Sequence, residues 1–175
     1  MGKTRPLQFA AIASESKGSV SRPRPDPLAS TPRTYRVERL SRRPWALVRD
    51  PEGFLDSVIL AYLTCAAWQD ASQTQVRADA RWLARAASWM SSQFAWADLD
   101  LDAWTVFLQD VAVDCLLDGQ VPQRAAFQAV HALHRAYAFW HWADPIRFHC
   151  QPFPTTPGER QRWVALILGE RSALS

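Results

Sequence analysis

The sequence predicts an all-α fold: a four-helix bundle followed by one short helix and preceded by a disordered basic arm. Three observations predict it. From Trp45 onward apolar residues recur at spacings of three and four, as one face of a helix requires. The runs open on Asp, Ser or Thr, and prolines at 51, 122 and 157 fall where a first helical residue needs no donor. The first 43 residues are rich in Pro, Ser and Arg and show no sustained apolar period, so they bury too little surface to offset their ordering entropy. The division is therefore a flexible basic arm at 1–43, a helical domain at 44–150 and a C-terminal loop and short helix at 151–175. With 175 residues, 48% of them hydrophobic, and nine tryptophans, the chain has material for one core.

Asp50 followed by Pro51 reads as a cap and first residue of a helix over about 51–69, with Leu55, Val58, Ile59, Tyr62 and Ala66 as its apolar stripe. Ser72 caps a second helix over about 73–91, whose inward face is Val76, Ala80, Leu83, Ala87 and Met90. Asp100 caps a third, with Trp104, Phe107, Leu108, Val111 and Cys115 inward and Gly119 as the left-handed residue past its end. Pro122 opens the fourth helix, and Asp144-Pro145 closes it. Thr156-Pro157-Gly158-Glu159 fits a capping box that starts a fifth helix through Leu168. No strand signal competes with this helical reading.

Composition excludes several functions. Cys65, Cys115 and Cys150 are odd in number and far apart, which suggests neither a disulfide framework nor a thiolate zinc site and makes a reducing cytoplasm the expected location. Six glycines form no phosphate-binding loop, so no nucleotide cofactor is expected, and no apolar run is long enough to cross a bilayer. His131, His134, His141 and His149 lack a third ligand at zinc spacing. Asp98, Asp100, Asp102, Asp110, Asp114 and Asp118 lack the glycine turn and closing glutamate of a calcium loop. Trp82, Trp89, Trp96, Trp104, Trp140 and Trp142 have stacking faces that bases would accept, but their helical spacing favours core packing. The expectation is a protein without catalytic residues.

Charge gives a positive lead. Residues 1–50 hold eleven Lys or Arg against four acids, whereas the remaining 125 hold nine against thirteen. A basic arm on an acidic body suits tracking of phosphates. Two helices add cationic stripes: Arg77, Arg81 and Arg85 on the second, and Arg124, Gln128, His131 and Arg135 on the fourth, each opposite an apolar stripe. Asp79 is the main acid on those faces. A helix fits the major groove, where Arg reads guanine, Gln can read adenine, and any of them can bind phosphate.

Four segments resemble the N-terminal core-binding domain of the tyrosine recombinases, the phage-integrase and Xer-type enzymes. FLDSVILAYL at Phe54 to Leu63 is similar to the first helix of that domain, and SQTQVRADARWLARAASWM at Ser72 to Met90 to its second. DLDLDAWTVFLQDV at Asp98 to Val111 resembles the acidic lead into its third helix. QAVHALHRAYAFW at Gln128 to Trp140, with Pro145 as the stop, resembles its fourth. The likeness spans about residues 50–150, with Gln75, Asp79 and Ala136 standing where the family often has Thr, Tyr and an aromatic. It implies a four-helix core-binding fold whose second and fourth helices lie against the major groove as half of a clamp. The residues it assigns to DNA are those of the two stripes.

The His-x-x-Arg and nucleophilic Tyr of the family's catalytic domain have no counterpart among the histidines or among Tyr35, Tyr62 and Tyr137. The expected function is therefore duplex DNA binding without catalysis. The alternatives are a helical protein-interaction module, docking a recombinase or another protein through the fifth helix, and a truncated recombinase remnant.

Overall fold

The computed structural model describes residues 34–90 and 94–169. They form a ribbon of two antiparallel strands, β1 (Arg36–Arg39) and β2 (Ala46–Arg49), then α1 (Ser57–Trp68), α2 (Gln73–Met90), α3 (Leu101–Leu117), α4 (Pro122–Ala143) and α5 (Pro157–Ile167). A single 3-10 turn at Trp96–Asp98 leads into α3. The fold is mostly helical, as the periodicity predicts. The ribbon is not.

Of the expected arm, residues 1–33 lie outside the described residues, Arg36–Arg39 are strand, and residues 40–43 belong to the turn that follows. Arg36 pairs with Arg49, Val37 with Val48, Glu38 with Leu47 and Arg39 with Ala46. Ala46 and Val48 are buried, so every second residue of β2 points inward. The turn between the strands closes through Leu40 N–H to Trp45 O and Trp45 N–H to Arg42 O, at 2.9 and 2.7 Å. Trp45 takes the left-handed conformation there, at φ 62°. The domain therefore begins before the boundary at 43/44 that composition suggests. Each strand is only four residues long, too short for alternation to stand out from a Pro- and Arg-rich background.

The first helix also starts later than its Asp-Pro signal suggests. Asp50 accepts Phe54 N–H on its carboxylate at 2.8 Å and Gly53 N–H on its carbonyl at 3.0 Å, so Asp50-Pro51-Glu52-Gly53 is a turn, with Gly53 at φ 94°. Asp56 is the cap, accepting from Val58 and Ile59 N–H at 3.0 and 2.9 Å. Leu55, expected to face inward, is 40% exposed, and the buried stripe is Ile59, Tyr62, Leu63 and Ala67.

The other helices follow their signals. Ser72 caps α2 through Gln75 N–H, Asp100 caps α3 through Ala103 N–H, and Gly119 lies at φ 67°. Thr156 and Glu159 complete the reciprocal box ahead of α5. All five expected inward residues of α2 and all five of α3 are buried.

α4 is the central helix, packed on α1, α2, α3 and α5. Its buried face meets an aromatic cluster around Trp104, which stacks on Trp96 and Trp89 and meets Phe107, Tyr137 and Phe153. Trp140 packs against Trp96 and donates its indole N–H to Val58 O at 3.0 Å, tying α4 to the start of α1. Trp96, Trp104 and Trp140 are thus core, Trp45, Trp82, Trp89 and Trp163 pack partly buried against it, and Trp68 and Trp142 stay exposed. The three cysteines are free thiols.

Candidate nucleic-acid interface

The α2 stripe carries three arginines with three different fates. Arg77 donates Nη2–H to Leu40 O at 3.0 Å, while Tyr35 N–H donates to Ser88 Oγ at 2.9 Å. Eleven helix residues separate Arg77 from Ser88 and five strand residues separate Leu40 from Tyr35, and both spans are about 16 Å. β1 therefore runs antiparallel along α2, on the line joining Arg77 to Ser88. Arg85 pairs with Asp114 of α3 at 2.6 Å and lies over Trp82. Arg81 is exposed and has no partner among the described residues. It stands about 40° around the helix from Arg77, on the flank of the ribbon.

The α4 stripe has a different neighbourhood. Arg135 grips Asp79 of α2 with two bonds, Nη2–H to Oδ1 at 2.5 Å and Nε–H to Oδ2 at 3.2 Å. Asp79 is 1% exposed and also accepts the Tyr62 hydroxyl at 2.7 Å. Burial, then the Asp79 charge, holds the Tyr62 hydroxyl above the ordinary phenol range. Burial pulls Arg135 down, but its hydrogen bonds to Asp79 and the Asp79 charge outweigh this and push it up.

His131 is half-buried with its ring edge-on to Phe127, and burial, then Arg160 and Arg135, lower its pKa. Arg124 and Gln128 are exposed and have no partner among the described residues.

The two stripes do not form one surface. On α2, Arg77, Arg81 and Arg85 lie roughly 120–160° around the helix from Asp79, which is the side that meets Arg135. The α2 arginines turn to the ribbon and α3, and the α4 stripe turns to Asp79 and to the neighbourhood of Arg160 on α5. Arg160 is itself buried, donating Nη1–H to Pro154 O and Thr155 O at 2.8 and 2.7 Å. Of the seven residues singled out by helical spacing, Arg81, Arg124 and Gln128 are exposed and uncommitted, Arg77 and Arg135 tie elements of the fold together, Arg85 is engaged in a surface pair with Asp114, and His131 lies half-packed against Phe127.

The ribbon supplies cations that helical spacing missed. Residues 36–49 contain five arginines and one glutamate. Glu38 is taken by Arg49 at 2.8 Å, leaving Arg36, Arg39 and Arg42 exposed without an acid partner among the described residues. Arg43, also exposed, lies between the rings of Trp45 and Trp68 at 5.1 and 5.0 Å from their centroids. The signal is present in the sequence as a local +4 charge, but composition assigns all of its arginines except Arg49 to a flexible arm. Only the packing of Ala46 and Val48 makes it a rigid basic ridge.

Among the described residues no three His, Cys, Asp or Glu side chains are grouped to hold a metal ion, and no helix is long and apolar enough to cross a membrane. No protein-family model matches the chain, and comparison with curated proteins and with solved structures gives no match either.

Proposed function

We propose that this protein binds duplex DNA without catalysing a reaction, and that it does so through the ribbon and the adjoining edge of α2. The observation that carries the reading is the set of exposed arginines, Arg36, Arg39, Arg42 and Arg43, on a ribbon laid along α2 beside exposed Arg81. A two-stranded ribbon, like a helix, has the width of the major groove, and arginines along it neutralise phosphates on the flanking strands. The partial likeness of the helices to recombinase core-binding domains supports the same ligand, with a redrawn contact surface. The two stripes do not share one surface, and Arg135 turns one edge of its guanidinium to Asp79, so a clamp formed by α2 and α4 is not part of the proposal.

The test compares two charge reversals in the full-length chain by mobility shift at moderate salt. Arg39→Glu with Arg42→Glu is expected to abolish the shift, and Arg124→Glu to leave it nearly unchanged. The opposite ranking overturns the ribbon as the contact surface. Circular dichroism checks that both variants fold.

A second reading has its own observation. Val113, Leu116 and Leu117 of α3, Val121 before α4 and Leu166 of α5 are each more than half exposed, and Val113, Leu116, Val121 and Ile167 line one groove. Apolar exposure on that scale favours a protein contact. Leu116→Asp is expected to convert a self-associating species to monomer in light scattering; a parent chain that is monomeric at all concentrations removes this reading.

A further inference from the structure

The two-pronged bond between Arg135 and Asp79 leaves part of Arg135 unused. Its Nε–H and one Nη2–H bond Asp79, with the Tyr62 hydroxyl also close by, and the Nη1/Nη2 edge makes no bond to Asp79. The side chain is 37% exposed, and it lines a groove of about 500 Å³ between α1, the start of α2 and the second half of α4. Ala66, Ala138, Phe139 and Trp142 form apolar walls, and Tyr62 lies beside Arg135 on the groove's polar side. Phe139 and Trp142 lie with ring centroids 6.1 Å apart. A groove of this size, mostly apolar with a few fixed polar groups, has the build of a small-molecule site.

The chemistry of the free edge selects the ligand. A guanidinium presents paired N–H groups along each edge, and the Nη1/Nη2 edge matches the two oxygens of a carboxylate. Asp79 holds the plane of the guanidinium, and Tyr62 holds Asp79, so this edge is pre-organised rather than swinging on a long chain. Asp79 already offsets part of the guanidinium's charge. A single negative charge therefore suits the site better than a doubly charged phosphate, whose hydration one half-neutralised cation does not replace.

We infer that this groove binds an organic monocarboxylate with an aromatic or branched apolar body, the carboxylate on the free edge of Arg135 and the body between Ala138, Phe139 and Trp142. His134 also lines the groove. Burial and its cationic neighbours hold its pKa down to about 4, so at neutral pH it offers hydrogen bonds rather than a second positive charge. The inference does not depend on DNA binding, since none of the ribbon arginines lines the groove.

The test titrates the full-length chain with 3-phenylpropionate, with its neutral amide 3-phenylpropionamide and with phenyl phosphate. The readout is the Trp142 indole N–H resonance, assigned by its loss in Trp142→Phe. The acid is expected to shift it saturably and to bind at least tenfold more tightly than the amide or phenyl phosphate. Ala138→Trp, which fills the groove from an exposed helix position, is expected to abolish binding. Arg135→Lys is expected to bring the acid down to the affinity of the amide. An amide that binds as well as the acid, acid binding that survives Ala138→Trp, or the absence of a saturable shift overturns the site. Phenyl phosphate binding more tightly than the acid overturns the monocarboxylate assignment. If Arg135→Lys fails to fold, the amide comparison and Ala138→Trp still decide.

Discussion

Arg135 of α4 and Asp79 of α2, fifty-six residues apart, form the one ion pair among the described residues whose acid is buried, with Asp79 2% exposed at its side chain. Removing one member of such a pair leaves the other uncompensated, which costs more than the pair contributes. Arg135→Met leaves a buried carboxylate with only the Tyr62 hydroxyl and is expected to destabilise by about 3 kcal/mol in urea unfolding. The double change Asp79→Leu with Arg135→Met is expected to cost clearly less than the two single changes added together. Additive losses would show that the two side chains do not act as a unit.

Arg77 reaches from α2 to Leu40 O and positions the ribbon rather than a ligand. Arg77→Ala is expected to cost about 2 kcal/mol, as for the loss of a charged donor that bonds two part-buried carbonyls, Leu40 O and, more weakly, Trp45 O. Local hydrogen exchange checks it. The Leu40 amide, bonded to Trp45 O, should exchange faster, while Val111 in the middle of α3 should not change. Equal acceleration at both sites would mean that the residue supports the whole fold.

For DNA, each arginine that neutralises one phosphate contributes about 0.9 to the slope of log affinity against log salt. Arg39→Ala and Arg42→Ala are each expected to flatten the slope by roughly that amount, with similar losses on unrelated sequences. Fluorescence anisotropy over a range of salt concentrations measures this. An unchanged slope removes these two residues from the contact.

His134 supplies a pH dependence with a definite sign. Burial first, then Arg160, His131 and Arg135, lowers its pKa from 6.5 to about 4 in the folded chain. Between those values the unfolded chain binds the proton and the folded chain does not. The stability contributed by neutral His134 is therefore complete above about pH 6.5 and is lost as pH falls towards 4. His131, shifted down by the same causes, works in the same direction. Allowing for solvent screening of a partly exposed ring, stability at pH 5 should be lower than at pH 7 by about 1 kcal/mol. His134→Gln should flatten that part of the curve. If parent and variant run parallel from pH 7 to pH 5, the ring does not carry the effect.

How much of this was legible in the sequence depended on the range of the interaction. The cap of α3 is Asp100 bonding three residues on, and the box before α5 is Thr156 and Glu159 bonding each other, so both were visible in a short window. The Asp50-Pro51 signal misled because the same two residues also start a turn, and Gly53 decides between the outcomes. The site was less legible than the helices. An arginine stripe shows which side of a helix is polar, but not whether its charges meet solvent or an acid from another element.

By itself the chain determined its helices, their caps and the apolar faces that meet at Trp104, because hydrogen bonds and periodicities within a few residues set them. Tertiary structure alone decided that residues 36–49 become a ribbon and that Arg135 pairs with Asp79 while Arg39 and Arg81 pair with no acid among the described residues. Those outcomes rest on pairings across eleven to fifty-six residues, and such partners are chosen by what packing brings together.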